Sequence, residues 1–121
     1  MKMTHLTKRE SDVMEVFWNN DRPLAVGDIQ QVISEITSNS IQPVLKKLQK
    51  KGFIHVSGIS QNKKTLMREY LPSITKAEYV ASLLDKDTFL QVASTFVQNN
   101  GNDDEEFISA LRQLIDQKIK E

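Results

Sequence analysis

Residues 41–53 read IQPVLKKLQKKGF: apolar side chains at helical spacing, a proline near the front, and four lysines with no acid among them. Ile41, Val44, Leu45 and Leu48 fall on one face of a helix. At about 100° per residue, Asn39, Gln42, Pro43, Lys46 and Lys50 gather on the opposite face, with Lys47 on the flank. The lysines therefore face outward, alongside two amides able to bond base edges. Charge for phosphates and amides for bases is what a helix in a DNA major groove requires. A lysine-rich face that is merely solvated is the plainer alternative.

The preceding TSNS, residues 37–40, is rich in N-cap residues, so the helix begins within it. Gly52 ends it as a glycine just past the C-cap. With Ser38 or Asn39 as cap, Pro43 takes the fifth or fourth helical position. It then forfeits about one backbone bond, much less than the roughly 3 kcal/mol of a mid-helix proline. Its ring either offers a rigid apolar surface to a thymine methyl or is simply tolerated in the opening turns.

The charge distribution points the same way. Residues 1–72 carry 11 Lys/Arg against 7 Asp/Glu, and residues 73–121 carry 5 against 9, so a net charge of zero hides a basic front and an acidic tail. Glu35 and Glu69 enclose 33 residues with seven bases and no acid. A local basic block in a neutral chain is the footprint of a polyanion site.

Around this helix the pattern is equally readable. Thr7 and Glu10 form a capping box that opens a first helix, with Val13, Met14, Val16 and Phe17 inward and Trp18 beside them. NNDRP, residues 19–23, makes a turn, and LAV leads into a second helix carrying Ile29, Val32, Ile33 and Ile36. FIHVSGI (53–59) and TLMREYL (65–71) are rich in β-formers and flank SQNKK, which predicts a hairpin stopped by Pro72. Lys63 and Lys64 lie near its tip and Arg68 on its return strand, as in a wing that grips the DNA backbone. Thr75 and Glu78 repeat the capping box, with Ile74 and Tyr79 as a hydrophobic staple. Helical pattern then runs through Leu83, Leu84, Phe89, Leu90, Phe96 and Val97 to a break at NNGN, 99–102. A last helix starts near Asn102, its acids Asp103, Asp104, Glu105 and Glu106 placed at the positive end of the dipole.

The fold class that emerges is mainly α with a small β-hairpin wing (α+β). A winged helix-turn-helix DNA-binding domain over residues 1–72 is followed by a helical dimerisation region over 73–121. The 49 residues of that tail carry about fifteen large apolar side chains and no second layer to enclose them. Pairing with a copy buries them, and a two-fold dimer sets two recognition helices about 34 Å apart, one turn of duplex.

Several function classes drop out. With no cysteine, there is no disulfide framework, thiolate metal site or cysteine nucleophile. His5 and His55 are isolated, and no serine or carboxylate pair stands in a catalytic context, so neither an enzyme nor a bound cofactor or metal is expected. No apolar run approaches the roughly 20 residues of a membrane span, and MKMTHLTKRE lacks a leader's apolar segment, which suits a cytoplasmic protein.

The stretches LTKRESDVMEVFW, VLKKLQKKGFI and REYLPSITKAEYV, with FLQVASTFV and EEFISALRQLI in the tail, resemble the BlaI/MecI/CopY family. These are the penicillinase and methicillin-resistance repressors and their copper-responsive relatives, and the resemblance spans nearly the whole chain. It implies a homodimer that binds an inverted-repeat DNA operator and represses transcription. In the β-lactam members a sensor-protease system leads to cleavage of an Asn–Phe bond; the matching bond here is Thr95–Phe96, so the asparagine is absent. The cysteine-rich metal hook of the copper relatives is absent too. SNSIQPV departs from the family's threonine-rich opening, so the operator sequence does not carry over.

The candidate DNA contacts are Asn39, Ser40, Gln42, Pro43, Lys46, Lys47 and Lys50 on the helix and Lys63, Lys64 and Arg68 on the wing. The candidate dimer contacts are Phe89, Leu90, Phe96, Phe107, Leu111 and Leu114. Two other readings compete with a dimeric repressor. One is a winged-helix module that holds an acidic protein partner; the other is a ligand-responsive regulator of the PadR or MarR kind, in which stretches like VLKKLQKKGFI also recur.

Overall fold

The computed structural model describes residues 5–62, 65–100 and 105–120. The chain forms two compact units, Met1–Leu83 and Leu84–Glu121.

In the first unit, α1 (Lys8–Trp18) opens on the expected capping box. The Glu10 amide donates to Thr7 Oγ1 at 3.2 Å, and the Thr7 amide donates to Glu10 Oε1 at 2.9 Å. Two of the helix's orphan donors are thereby satisfied. Val13, Met14, Val16 and Phe17 are buried, as their spacing requires.

The next helix, α2 (Val26–Val32), is shorter than its apolar spacing suggests. Ile33 leaves the helical region, with φ −106° and ψ 76°, and Ile36 reaches the core from the following turn. Val32, assigned inward by its spacing, is 64% exposed. The run Val32–Ile33–Ser34 joins two β-branched residues to a serine that competes for backbone bonds, a poor sequence for another helical turn.

Thr37 caps α3 (Ser38–Lys50), its hydroxyl accepting from the Ser40 amide at 3.3 Å. The cap lies one residue earlier than the earlier of the two expected positions, so Pro43 is the sixth helical residue. Ile41, Leu45 and Leu48 are buried, and Val44 packs against the same core. The C-terminus closes in a Schellman turn: Gly52 adopts φ +84°, its amide donates to Gln49 O at 3.1 Å, and the Phe53 amide donates to Leu48 O at 2.9 Å. That turn throws Phe53 and Ile54 straight into the core and starts the hairpin.

Strands β1 (Ile54–Asn62) and β2 (Thr65–Pro72) pair antiparallel, from Ile54 opposite Pro72 to Asn62 opposite Thr65, with an irregularity between Val56 and Gly58. LAV adds a bridge at the base, where Leu24 and Tyr70 exchange both backbone bonds, at 2.8 and 3.0 Å. Helices α1 to α3 and this hairpin make the winged helix expected from the sequence. The wing tip, with Lys63 and Lys64, lies outside the described residues.

A second capping box, Thr75 with Glu78, opens α4 (Lys76–Ser82). Tyr79 stacks on Trp18, with centroids 5.9 Å apart, and meets Phe53 edge-on at 5.5 Å. Its hydroxyl accepts from the Leu6 amide at 3.1 Å, and Trp18 Nε1 donates to Ile74 O at 3.0 Å. These contacts carry the compact N-terminal unit on to Leu83, beyond the boundary at residue 72 drawn from sequence.

The second unit consists of α5 (Lys86–Asn100) and α6 (Glu105–Lys120). The apolar pattern reads as one helix from Tyr79 through Val97, yet the chain breaks at Leu83–Asp85. Asp85 restarts it: its Oδ1 accepts from the Thr88 amide at 2.7 Å, a bond that holds the carboxyl below the ordinary aspartate range. Within this unit Phe96 and Phe107 meet at 6.3 Å. Glu105 and Glu106 occupy the first turn of α6; Asn102, Asp103 and Asp104 lie outside the described residues.

Candidate nucleic-acid interface

The outward face of α3 and the strand β2 enclose an open cleft of about 880 Å³. Asn39, Gln42, Pro43 and Lys46 line it from the helix and Arg68 from the wing, so five of the candidate contacts share one concavity. All five are exposed. The floor is Leu45 and Tyr70, which also belong to the core. The cleft walls are therefore fixed to the packed interior, one through the apolar face of α3 and the other through the base of β2.

The remaining candidates are distributed differently. Lys47 and Lys50 are exposed on α3 but do not line the cleft. Ser40 is exposed, and its Oγ accepts from Thr37 Oγ1 at 3.2 Å, which ties it to the helix cap. Lys51, the remaining lysine of the block on this helix, turns the other way: its Nζ lies 2.7 Å from Glu10 Oε1.

Gln49 was missed by the sequence reading and lines the same cleft, as do Thr65 and Met67. Gln49 stands seven residues after Gln42, two helical turns on, so heptad spacing alone places it on the same face. Thr65 and Met67 had no such signal, because their position follows from the hairpin register.

The electrostatics separate this cleft from the rest of the surface. Its described lining holds Lys46 and Arg68 and no acid. A shallower depression over α1 and α2 is lined instead by Asp12, Glu15 and Glu35 with Lys8 as its one base. Neither Lys46 nor Arg68 has an acidic partner among the described residues. Both charges are free to face an external anion.

Glu10 is the buried carboxylate of the N-terminal unit, with 2% of its surface exposed. Burial pushes its pKa up, and that push is outweighed by the Lys51 ammonium and the Thr7 hydrogen bonds, which hold it below the ordinary value of 4.5. Lys51 is the C-cap of α3, so this ion pair ties the end of the basic helix to the start of α1.

Most of the tail candidates are exposed. Phe89 is 51%, Leu90 66%, Phe96 56% and Leu114 62% exposed, while Leu111 is half-buried and Phe107 lies just on the exposed side. Thr95 and Phe96 lie within α5, where the Thr95 hydroxyl donates to Gln91 O at 2.9 Å. His5 is exposed, and His55 Nδ1 lies 2.8 Å from Ser73 Oγ at the base of the hairpin. Among the described residues, no group of three His, Asp or Glu side chains is placed to hold a metal, and no helix is long and apolar enough to cross a membrane.

The model of the penicillinase repressor family matches residues 6–117, nearly the full length. The chain belongs to the penicillinase repressor family. The match runs from the capping box of α1 through the wing and almost to the end of α6, so both compact units are part of what defines a penicillinase repressor. The family is one of transcriptional repressors, and the described lining of the cleft, with Lys46 and Arg68 and no acid, accords with that role. A search of curated proteins finds no match.

Proposed function

We propose that this member of the penicillinase repressor family acts as a dimeric, sequence-specific DNA-binding protein that recognises an inverted-repeat operator. The observation that carries the reading is the acid-free cleft, in which the exposed amides of α3 stand beside Lys46 and Arg68. Helix α3 enters the major groove; Asn39, Gln42 and Gln49 address base edges, and Lys46, Lys47 and Lys50 address phosphates. The wing, with Lys63, Lys64 and Arg68, lies along the adjacent backbone.

Dimerisation is supported by the second unit. Its 38 residues fall below the roughly 40 at which a chain encloses a core unaided, and its large apolar side chains face solvent. A second copy covers Phe89, Leu90, Phe96, Phe107, Leu111 and Leu114 and brings two α3 helices to successive major grooves. The family resemblance implies a protease as a further partner; Thr95 in place of asparagine at the matching bond speaks against induction by that route.

Selection from a randomised duplex pool, followed by titration at several salt concentrations, tests the reading. A palindromic motif bound with a steep salt dependence is the expected result. Binding that ignores sequence favours the acidic-protein reading, and binding released by a small molecule favours the ligand-responsive one.

A further inference from the structure

We infer that the cleft between α3 and β2 also takes a small organic carboxylate with an apolar body, and that this ligand and the operator exclude each other. The inference rests on the operator-binding reading and adds a ligand that competes for the same walls. It starts from side chains that reading leaves unused. A polyanion asks the walls for charge and amides, yet apolar side chains stand among them. Leu66 is 69% exposed, and Val26 and Met67 are half-buried in the same lining. At about 880 Å³, the cleft falls within the roughly 300–1,000 Å³ of small-molecule sites.

The polar and apolar groups are arranged for one occupant. Leu66 and Arg68 alternate with Met67 along β2, so they project from the same side of the hairpin. Across the cleft, Gln42, Lys46 and Gln49 recur at helical spacing and form one polar stripe on α3. A carboxylate between Arg68 and Lys46 meets a planar fork from one wall and a point charge from the other. Its apolar body lies over Leu66, and the amides of Gln42 and Gln49 remain for a second polar group. A flat aromatic acid meets these terms: it carries one charge, presents broad apolar faces and, being rigid, loses little freedom on binding. No acid in the described lining opposes it, and neither cation has an acidic partner among the described residues. The groups that hold the ligand are those that address the duplex, so the two cannot be seated together.

The test uses the full chain and naphthoate, with the uncharged naphthylmethanol and with acetate as controls at matched ionic strength. In the free protein, naphthoate should saturably shift the methyl resonances of Leu66 and the side-chain amide resonances of Gln42 and Gln49. Naphthylmethanol should bind about tenfold more weakly, because the charge-assisted bonds are lost, and acetate should give no saturable shift. On the selected operator, naphthoate at ten times its own dissociation constant should weaken binding about a hundredfold, roughly tenfold for each half-site of a dimer. Leu66→Ser should raise the naphthoate concentration required about tenfold and leave ligand-free operator affinity near that of the wild type. Shifts confined to other parts of the chain, equal effects of acetate and naphthoate, or a wild-type response from Leu66→Ser would each overturn the inference. Saturable shifts in the cleft with operator affinity unchanged would overturn the exclusion. If no operator is selected, the operator-binding reading falls; saturable shifts in the free protein would still uphold the carboxylate site, and their absence would remove it.

Discussion

Lys51 Nζ lies 2.7 Å from Glu10 Oε1, joining the last turn of α3 to the first turn of α1 across 41 residues of sequence. Glu10 is buried and Lys51 is a quarter exposed, so this pair is largely withdrawn from solvent screening. The carboxylate also serves the capping box. One acidic side chain thus secures a helix start and orients the helix that carries the candidate DNA contacts.

Because the folded pKa of Glu10 is depressed, its charge stabilises the fold above the ordinary value of 4.5, and that contribution disappears as pH falls through the lower folded value. Lys51→Met leaves the carboxylate buried without its ammonium and should cost about 3 kcal/mol at pH 7. With burial less opposed, the pKa of Glu10 rises, so the deficit of the variant should shrink on acidification toward pH 4. Urea denaturation at pH 4, 5 and 7 checks this; an equal deficit at all three would contradict it.

The lysines of α3 predict a salt signature. Replacing Lys46, Lys47 or Lys50 by alanine should lower the slope of log K against log[salt] by roughly 1 to 2 for a dimer, at about 0.9 per phosphate contact. Specific and random duplexes should lose affinity together. Three variants with the wild-type slope would remove α3 from the backbone.

The two glutamines predict the converse. Gln42→Ala and Gln49→Ala should each relax preference at a separate base pair of the half-site, by about 1 to 3 kcal/mol, with nonspecific binding nearly intact. Repeating the selection with each variant reads the result. A motif identical to that of the wild type would show that the amide reads no base.

In the tail, Leu114 is exposed within its own chain, so an acid there disturbs pairing more than folding. Leu114→Asp should shift the protein to monomers in sedimentation and sharply weaken operator binding, since each half-site then binds without the gain of linkage. The winged helix should stay folded, because the buried cluster of Val13, Phe17, Ile29, Leu45, Leu48 and Phe53 contains no residue of α5 or α6. A variant that remains dimeric would displace the interface from this face of α6.

Pro43 predicts a gain in stability. As the sixth residue of α3 it denies the Asn39 carbonyl its helical donor, and its ring crowds that oxygen. Pro43→Ala should raise stability by about 1 to 3 kcal/mol, visible as a higher urea midpoint. If the ring meets a thymine methyl, affinity for the selected operator should fall at the same time. A destabilised variant would mean that the proline is rigidly matched to this helix.

The winged helix was legible because its punctuation is local. Two capping boxes, a glycine at the end of α3 and a proline at the end of β2 each act within a few residues, and each appears where the sequence places it. Errors arose where local patterns competed. The apolar spacing across Val32–Ile36 continues past the point where the backbone turns, and the Asp85 cap was hidden by helical spacing that runs on from Leu83 and Leu84 to Phe89 and Leu90. The α3 face was readable from helical geometry alone, which yields Asn39, Gln42 and Lys46. That Arg68 and Thr65 complete the same cleft depends on a pairing register between strands, and no spacing along the chain encodes it.

The bridge between Leu24 and Tyr70 closes a span of 46 residues with two backbone bonds. Such a closure carries a loop-entropy cost that is repaid only when α2 and α3 are already packed inside the loop. The base of the hairpin is therefore expected to seat late in folding, after α2 and α3 have packed. Hydrogen exchange at the Tyr70 amide, held by Leu24 O, should therefore report on the packing of α2 and α3, so that an assembled wing signals a recognition helix already in position.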